Sequence, residues 1–324
     1  MKELIEVHRV KMHYPVRTGL FGKKLWARSL SDVNFTLYNG QTVSLVGESG
    51  SGKTTTTRLI LLLEKPSAGY ITFQGHDINR FTRRERALYR RKVQAVFQDP
   101  YSSFDPHMRV EDILAEPLII NAKLSKKEQL ARVDGLLELV GLDRQFRRRF
   151  PHEFSGGQLQ RIAIARALAL EPEILVLDEP VSSLDVSVRG QILNLFYDLQ
   201  KEKGISYLYI SHDIASVRYM SHTIAVLYFG KIVEIAPSEV IFEHSMHPYT
   251  RALLNASVIT EFNNFEEYVI QGEIPSILHP PSGCPFNDRC PYCKAVCKTQ
   301  EPGELQLVEQ GHYVACHLYN DYTI

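Results

Sequence analysis

The chain has 324 residues, of which 44% are hydrophobic and 23% charged, a composition that predicts a packed core and excludes wholesale disorder. Lys plus Arg and Asp plus Glu both number 37, so the formal net charge is zero and the basic excess of a dominant nucleic-acid-binding surface is missing. No apolar run reaches the roughly 18 residues of a membrane span. The N-terminal segment lacks the apolar core of a signal peptide, so we expect a cytosolic chain that does not itself cross a membrane.

Apolar periodicity predicts strands and helices that alternate along the first 255 residues. Strands are predicted over 4–14, 30–37, 42–46, 69–78, 93–97, 174–177 and 206–210, with a hairpin over 224–228 and 231–235. Helices are predicted from near Lys53 and over 83–91, 156–170 and 190–203. This alternation is typical of an α/β domain with a mainly parallel sheet.

Three segments depart from the alternation. Residues 15–29 form a basic, turn-prone insert that we interpret as a hairpin tip. The insert could contact lipid headgroups, but a solvent-exposed hairpin is the favoured interpretation. The stretch of about 99–160 is helical and polar-faced, which predicts an inserted helical subdomain. After about residue 256, Pro, Cys and loop residues dominate. We therefore predict a domain over 1–255 and an irregular, Cys-rich C-terminal domain over 256–324.

A phosphate-binding loop follows the strand at 42–46. Residues 47–54 fit the pattern G-x-x-x-x-G-K-[ST] completely and lie between a strand and a helix, which is the context the motif requires. Glycines let backbone amides surround the phosphates, and the helix N-terminus adds its dipole. Lys53 can reach the β- and γ-phosphates, and the Thr54 hydroxyl can ligate Mg²⁺.

Two carboxylates end the apolar strand at 174–177. Asp178 can hold Mg²⁺ through water, and Glu179 is placed to polarise the attacking water. Phosphoryl transfer requires this combination of a metal clamp and a water-positioning group. Either acid alone would be typical of a helix cap on the surface, but two acids after a buried strand, in a chain with a phosphate loop, favour catalysis.

A Ser-Gly-Gly-Gln run opens the helix predicted over 156–170. By itself, the run from Ser155 to Gln158 is typical of an ordinary helix N-cap. In a chain that also holds a phosphate loop, its exposed amides indicate a second anion-binding surface.

As a set, these motifs resemble those of the ATP-binding cassette (ABC) ATPases over about residues 1–255. The resemblance implies a P-loop NTPase fold that binds ATP and Mg²⁺, and a signature motif that contacts the γ-phosphate of ATP held by the opposite subunit of a head-to-tail dimer. The implied nucleotide-binding residues are Tyr14, which stacks on adenine, and Gly47, Ser49, Gly50, Ser51, Gly52, Lys53, Thr54, Thr55, Gln98 and Asp178. Thr54, Gln98 and Asp178 are the implied Mg²⁺ ligands, and Glu179 and His212 the implied catalytic residues. The signature comprises Ser155, Gly156, Gly157 and Gln158, and the D-loop comprises Ser183, Leu184 and Asp185.

Within that family the chain looks most like the ATPase subunits of dipeptide and oligopeptide importers. The resemblance rests on local features at 14–17, 180–188 and 247–250 and on the Cys-rich tail. It implies a peripheral subunit at the cytoplasmic face of the membrane, paired with a paralogous ABC ATPase and bound to two transmembrane permease subunits. An extracytoplasmic binding protein would deliver the substrate, and nucleic acid is not an expected partner. The alternatives are an importer of nickel complexes or sugars, a redox sensor, and a soluble ABC ATPase of DNA repair or translation.

All five cysteines lie after residue 283, in a compartment where disulfides are disfavoured. Four thiolates, from Cys284, Cys290, Cys297 and Cys316, can bind an iron–sulfur cluster or a tetrahedral zinc ion, with Cys293 as a bystander. The spacing lacks the paired C-x₂-C of zinc ribbons. It resembles the tail of peptide-importer ATPases, some of which hold a [4Fe–4S] cluster, so a cluster is favoured over zinc and over a metal-free or disulfide-linked loop.

Overall fold

The computed structural model describes residues 2–17, 24–122, 124–256, 270, 272, 274–278 and 280–319. The chain divides into two compact units. The first takes its residues from Met1–Tyr38, Thr42–Arg80 and His212–Ile324, and the second from Asn39–Gln41 and Phe81–Ser211.

The regular elements are numbered in chain order. The strands are β1 (Glu3–Arg17), β2 (Lys24–Tyr38), β3 (Thr42–Val46), β4 (Ala68–Phe73), β5 (His76–Asp77), β6 (Val93–Phe97), β7 (Ile174–Asp178), β8 (Ser206–Ile210), β9 (Thr223–Tyr228), β10 (Lys231–Pro237), β11 (Gln306–Glu309) and β12 (His312–Val314). The helices are α1 (Lys53–Ile60), α2 (Arg83–Lys92), α3 (Val110–Asn121), α4 (Lys126–Leu139), α5 (Gly156–Leu168), α6 (Val186–Lys203), α7 (Ile214–Met220), α8 (Ser238–His244) and α9 (Pro248–Ala256).

One sheet of the first unit is antiparallel, with the strand order β2-β1-β4-β5. The hairpin of β1 and β2 was predicted, but its strands run further than expected, since Tyr14 pairs with Ala27 and Pro15 with Trp26. Much of the predicted hairpin tip is therefore strand. Its apolar and aromatic side chains fit a pleated surface, which outweighs the local turn signals. The rest of that tip, residues 18–23, lies outside the described residues.

A second set of strands in the first unit positions the phosphate loop. β3 is buried along its whole length and pairs in parallel with β9, which forms an antiparallel hairpin with β10. The two-residue turn of this hairpin, Phe229-Gly230, has positive φ angles of 49° and 76°, as a tight hairpin turn requires.

The C-terminal extension is not irregular throughout, contrary to the sequence-based prediction. β12 pairs with β10 and with β11, so a C-terminal hairpin continues the β9–β10 ladder. These strands have only three and four residues, too few for the periodicity that would identify them in the sequence.

The second unit holds a parallel ladder in which β7 pairs with both β6 and β8. Residues 174–177 of β7 are completely buried, which explains the continuous apolar run. The helices α3, α4 and α5 of this unit pack against one another. Within the described part of the chain, no helix is both long and apolar enough to span a membrane.

Candidate nucleotide-binding site

The phosphate loop joins β3 to α1 in the first unit. Gly47 has a φ of 152°, and a Cβ atom there would lie 2.1 Å from the carbonyl oxygen of Leu227 on β9. The loop can therefore rest against β9 only with glycine at this position. Lys53 is buried, and its Nζ donates hydrogen bonds to the carbonyl oxygens of Gly47 at 2.7 Å and Glu48 at 2.9 Å.

Unused polar groups of the loop fit a phosphate. The Ser51 hydroxyl oxygen is buried without a hydrogen-bond partner among the described residues, and such groups are costly unless a ligand or water serves them. Ser49, Gly50 and Thr54 are exposed, so their backbone or hydroxyl groups are accessible. Thr55, by contrast, shares a hydrogen bond of 2.7 Å with the Ser29 hydroxyl.

In the second unit, Asp178 is the last residue of β7 and Glu179 follows in a left-handed backbone conformation with a φ of 51°. The Glu179 amide donates to the Ile210 carbonyl at 2.8 Å, which ties it to the end of β8. This conformation is strained for a non-glycine residue, and such strain is concentrated at functional sites.

The second unit also brings Gln98 and the D-loop together. Gln98 is exposed one residue beyond β6, and its carbonyl oxygen accepts a hydrogen bond of 3.2 Å from the Ser183 hydroxyl. Leu184 lies beside Gly156: a Cβ atom added to Gly156 would be 3.8 Å from Leu184 Cδ2. Asp185 caps α6: its carboxylate accepts from the Val188 amide, and this bond and one from the Ser187 hydroxyl lower its pKa.

The signature residues begin α5 as a complete capping box. The Ser155 hydroxyl accepts from the Gln158 amide at 3.4 Å, and the Gln158 side chain accepts from the Ser155 amide at 3.1 Å. Gly157 has no room for a side chain, because a Cβ would lie 2.4 Å from Val188 Cγ1 on α6. Ser155 itself is exposed.

Tyr14 and His212 belong to the first unit. The Tyr14 hydroxyl donates to the Glu64 carboxylate, and burial followed by this bond raises the Tyr14 pKa. His212 is exposed just beyond β8, in the segment that leads to α7.

The four cysteines predicted as ligands approach one another in the first unit. The Cys284 amide donates to the Cys297 carbonyl at 2.8 Å. Burial raises the pKa of Cys284 to about 12 and that of Cys290 to about 11, and the thiols of Cys297 and Cys316 contribute to both shifts. The Cys293 thiol donates to the Lys294 carbonyl, but it also contributes to the raised pKa of Cys290, and the Cys297 thiol contributes to the raised pKa of Cys293, so the structure does not set Cys293 apart from the other four. Among the described residues, no three Cys, His, Asp or Glu side chains are arranged to hold a metal ion.

Sequence reasoning missed one strong contact of the phosphate loop. Arg289, in a 3-10 turn at Asn287–Arg289, forms a bidentate ion pair with Glu48. Glu48 occupies a variable position of the motif, and Arg289 lies 241 residues further along, so no local signal connects them.

The dipeptide transport ATP-binding protein DppF of Haemophilus influenzae is 45% identical to this chain over 314 residues, which cover 97% of this chain and 96% of the relative. The chain belongs to the ABC transporter ATPases. The oligopeptide transport ATP-binding protein AppF of Bacillus subtilis is likewise 42% identical to this ABC ATPase, over 98% of each chain. The ABC transporter model matches residues 30–182, and the model of the oligopeptide/dipeptide transporter C-terminal region matches residues 233–297.

Solved structures give the same result for the fold of this ABC ATPase. The dimeric ATP-binding cassette MJ0796, bound to ADP and Pi, superposes with a TM-score of 0.65 at 29% identity, covering 72% of this chain and 99% of that one. The family and the P-loop fold predicted from the sequence motifs are thus confirmed.

Proposed function

We propose that this chain hydrolyses ATP to power the import of dipeptides or oligopeptides. One observation carries the proposal: a phosphate loop with a buried lysine shares the chain with a C-terminal region that matches that of oligopeptide and dipeptide transporters. Relatives named for peptide transport span nearly its whole length. These findings do not favour a soluble ATPase of DNA repair or translation, or import of nickel complexes or sugars.

The first unit supplies the phosphate-binding groups. Lys53 exchanges its two carbonyl partners for the β- and γ-phosphates, and the Ser51 hydroxyl gains the partner it lacks. Backbone amides of the loop surround the β-phosphate, and Tyr14 stacks on adenine. The remaining nucleotide-binding residues in this proposal are Gly47, Ser49, Gly50, Gly52, Thr54 and Thr55.

Hydrolysis uses the residues that follow the buried strands. Thr54, Gln98 and Asp178 are the proposed holders of Mg²⁺, which when bound neutralises charge on the phosphates. Glu179 orients and polarises the attacking water, and His212 contacts the γ-phosphate. The carboxylate oxygen, amide oxygen and hydroxyl of the three proposed ligands are donors that Mg²⁺ prefers.

Closure of a head-to-tail dimer completes each site. Ser155, Gly156, Gly157 and Gln158 serve the partner's nucleotide, and the D-loop at 183–185 lies at the seam. The partner is a paralogous ATPase subunit. The exposure of Ser155 at the N-terminus of α5 supports this role.

The proposed complex contains two transmembrane permease subunits and an extracytoplasmic binding protein, and no nucleic acid. The chain binds the permeases at the cytoplasmic face of the membrane, with 1–255 as the ATPase domain, the helices of about 99–160 as its helical subdomain and 256–324 as the Cys-rich domain. ATP favours the closed dimer by binding it more tightly, and hydrolysis removes that preference.

The four approaching thiols are proposed to hold a [4Fe–4S] cluster, with zinc as the alternative. Their mutual electrostatic influence supports a common site, and among the described residues no three of these thiols are arranged at ligand geometry. Anaerobic protein should contain about four iron atoms per chain for a cluster, or about one zinc ion for a tetrahedral site. Serine at 284, 290, 297 or 316 should lose the metal, whereas Cys293→Ser should retain it. Wild-type protein that contains neither iron nor zinc would contradict both the cluster and the zinc site.

Transport is tested with the complete complex in proteoliposomes. Uptake of labelled di- and tripeptides should require ATP and stop in the Lys53→Ala variant, because the lysine no longer reaches the phosphates. Peptide-independent ATP hydrolysis combined with uptake of nickel complexes or sugars would refute the proposed substrate class while leaving the ATPase intact.

A further inference from the structure

Arg289 connects the C-terminal segment to the phosphate loop, where it forms an ion pair with Glu48. Arg289 Nη1 donates to Glu48 Oε2 at 2.8 Å, and Nη2 donates to Oε1 at 2.9 Å, so the guanidinium and carboxylate meet through two parallel hydrogen bonds. The Arg289 side chain is 6% exposed and that of Glu48 28%. Charge-assisted bidentate bonds of this kind combine strength with a fixed orientation.

Aromatic residues enclose the ion pair. Arg289 also donates to the Tyr228 hydroxyl at 3.3 Å, and its guanidinium lies 5.8 Å from the centre of the Tyr228 ring. The Tyr249 hydroxyl accepts a bond of 2.8 Å from the Glu48 amide. Both the side chain and the backbone of Glu48 are therefore held from outside the loop.

The turn that presents Arg289 is itself well anchored. The Arg289 amide donates to the carbonyl of Phe286, which is buried, and the Asn287 side chain donates to the Ser282 carbonyl. Fixing the guanidinium in advance reduces the conformational entropy lost when it holds Glu48.

We propose that Arg289 is a positioning residue of the phosphate loop, which sets the affinity for ATP by holding and neutralising Glu48. This inference rests on the proposed ATPase function. The Glu48 carbonyl is one of the two that Lys53 contacts, so the place of Glu48 affects the lysine directly. An unpaired Glu48 carboxylate would also repel the incoming polyphosphate. The C-terminal segment thereby contributes to nucleotide binding.

The decisive experiment is a double-mutant cycle on ATP affinity in the full-length chain. Arg289→Gln should raise the Kd for ATP about tenfold, since it leaves the Glu48 carboxylate unpaired beside the phosphates. Adding Glu48→Gln to Arg289→Gln should recover most of the lost affinity, because the repulsive charge has gone. Arg289→Lys, which retains the charge but not the fork, should give an intermediate Kd.

A purely structural role would give a different pattern. If Arg289 only docks the C-terminal segment, the double variant would bind ATP no better than Arg289→Gln, and that result would overturn the inference. Should Arg289→Gln fail to fold, Arg289→Lys and the double variant decide the question. A wild-type Kd for Arg289→Lys, or a double variant that binds ATP at least tenfold more weakly than the wild type, contradicts the proposal. In the assembled complex, KM for ATP should rise by a larger factor than kcat falls.

The matched control is Arg147, which donates to both carboxylate oxygens of Asp134 at 3.0 Å in the second unit. Arg147→Gln should lower the melting temperature without changing the Kd for ATP. An equal loss of affinity in this control would show a general effect of destabilisation. If the wild-type chain and Lys53→Ala bind ATP equally weakly, the proposed ATPase function fails, which is distinct from a failure of the Arg289 inference alone.

Discussion

Glu179 shows at the scale of a single residue how backbone geometry and chemistry combine. Its left-handed φ of 51° turns the chain away from β7 directly after Asp178, and its amide is held by Ile210. If this position had only a structural role, glycine or asparagine would suit it better than glutamate, because both adopt the left-handed conformation more easily. The strained glutamate therefore favours a role for the carboxylate itself.

We predict that Glu179→Gln retains ATP binding but lowers the hydrolysis rate by at least about a hundredfold, because an amide cannot act as a base. ATP turnover is measured in a complex whose other site is disabled. Glu173→Gln, at an ion pair with Lys92 near the start of β7, is the control and should hydrolyse ATP normally. Wild-type turnover by Glu179→Gln would refute the assignment.

Gly47 sets the position of the phosphate loop on β9. Gly47→Ala would bring a Cβ to within 2.1 Å of the Leu227 carbonyl oxygen, so we expect a loss of about 1–3 kcal/mol in the free energy of unfolding together with loss of ATP binding. Gly40 also has a positive φ, of 70°, but no atom lies within 4 Å of its would-be Cβ. Gly40→Ala should therefore cost only about 1 kcal/mol and retain binding. Equal effects of both changes, measured by denaturant titration, would contradict the steric argument.

At the scale of elements, the sequence predicts strands that are buried and continuous. Both β3 and β8 are buried along their whole length and have the predicted bounds, 42–46 and 206–210, because each is a short, mainly apolar run between polar flanks. Helix α6 begins at Val186, four residues before its predicted start, because Asp185 caps it there.

Long-range contacts escaped prediction. The β11–β12 hairpin gains its order from pairing with β10, which is distant in sequence. The Arg289–Glu48 pair likewise joins segments that share no periodicity or motif. In the candidate site, motifs identified the residue types, but the orphaned Ser51 hydroxyl and the left-handed Glu179 became evident only in three dimensions.

The start of α9 depends on a neutral histidine. His247 is buried, and its Nδ1 accepts a bond of 3.0 Å from the Tyr249 amide, which protonation would break. Burial lowers the His247 pKa to about 4, against an opposing effect of the Glu234 carboxylate. The unfolded chain binds this proton near pH 6.5. The stabilisation is therefore fully present above pH 6.5 and declines as the pH falls towards 4.

We predict that His247→Asn flattens this part of the stability profile, since the asparagine oxygen can accept the Tyr249 bond without titrating. Between pH 7 and pH 4.5 the wild-type chain should lose about 2–3 kcal/mol more than the variant, as measured by urea unfolding. His107→Asn, on an exposed turn, controls for the loss of a histidine. Parallel profiles for the wild type and His247→Asn would disprove the linkage.

At the scale of the whole molecule, the proposed mechanism requires two chains to share each nucleotide. The geometry of Ser155 by itself is that of an ordinary N-cap, and Ser125 forms the same capping box with Glu128 at the start of α4. The two helices differ in that only α5 is proposed to contact the nucleotide of the partner subunit. Comparing variants of Ser125 and Ser155 therefore separates the loss of a helix cap from an effect across the dimer.

We predict that Ser155→Arg and Ser125→Arg each cost about 1 kcal/mol of stability, because each removes a cap. Only Ser155→Arg should block ATP-dependent closure of the assembled dimer, since a large cation at the start of α5 fills the space for the partner's γ-phosphate. Both variants should bind ATP normally as isolated subunits. ATP hydrolysis and ATP-dependent dimerisation of the assembled complexes are measured side by side. Normal hydrolysis by the Ser155→Arg complex, or equal inhibition in both complexes, would show that Ser155 acts only as a cap within its own chain.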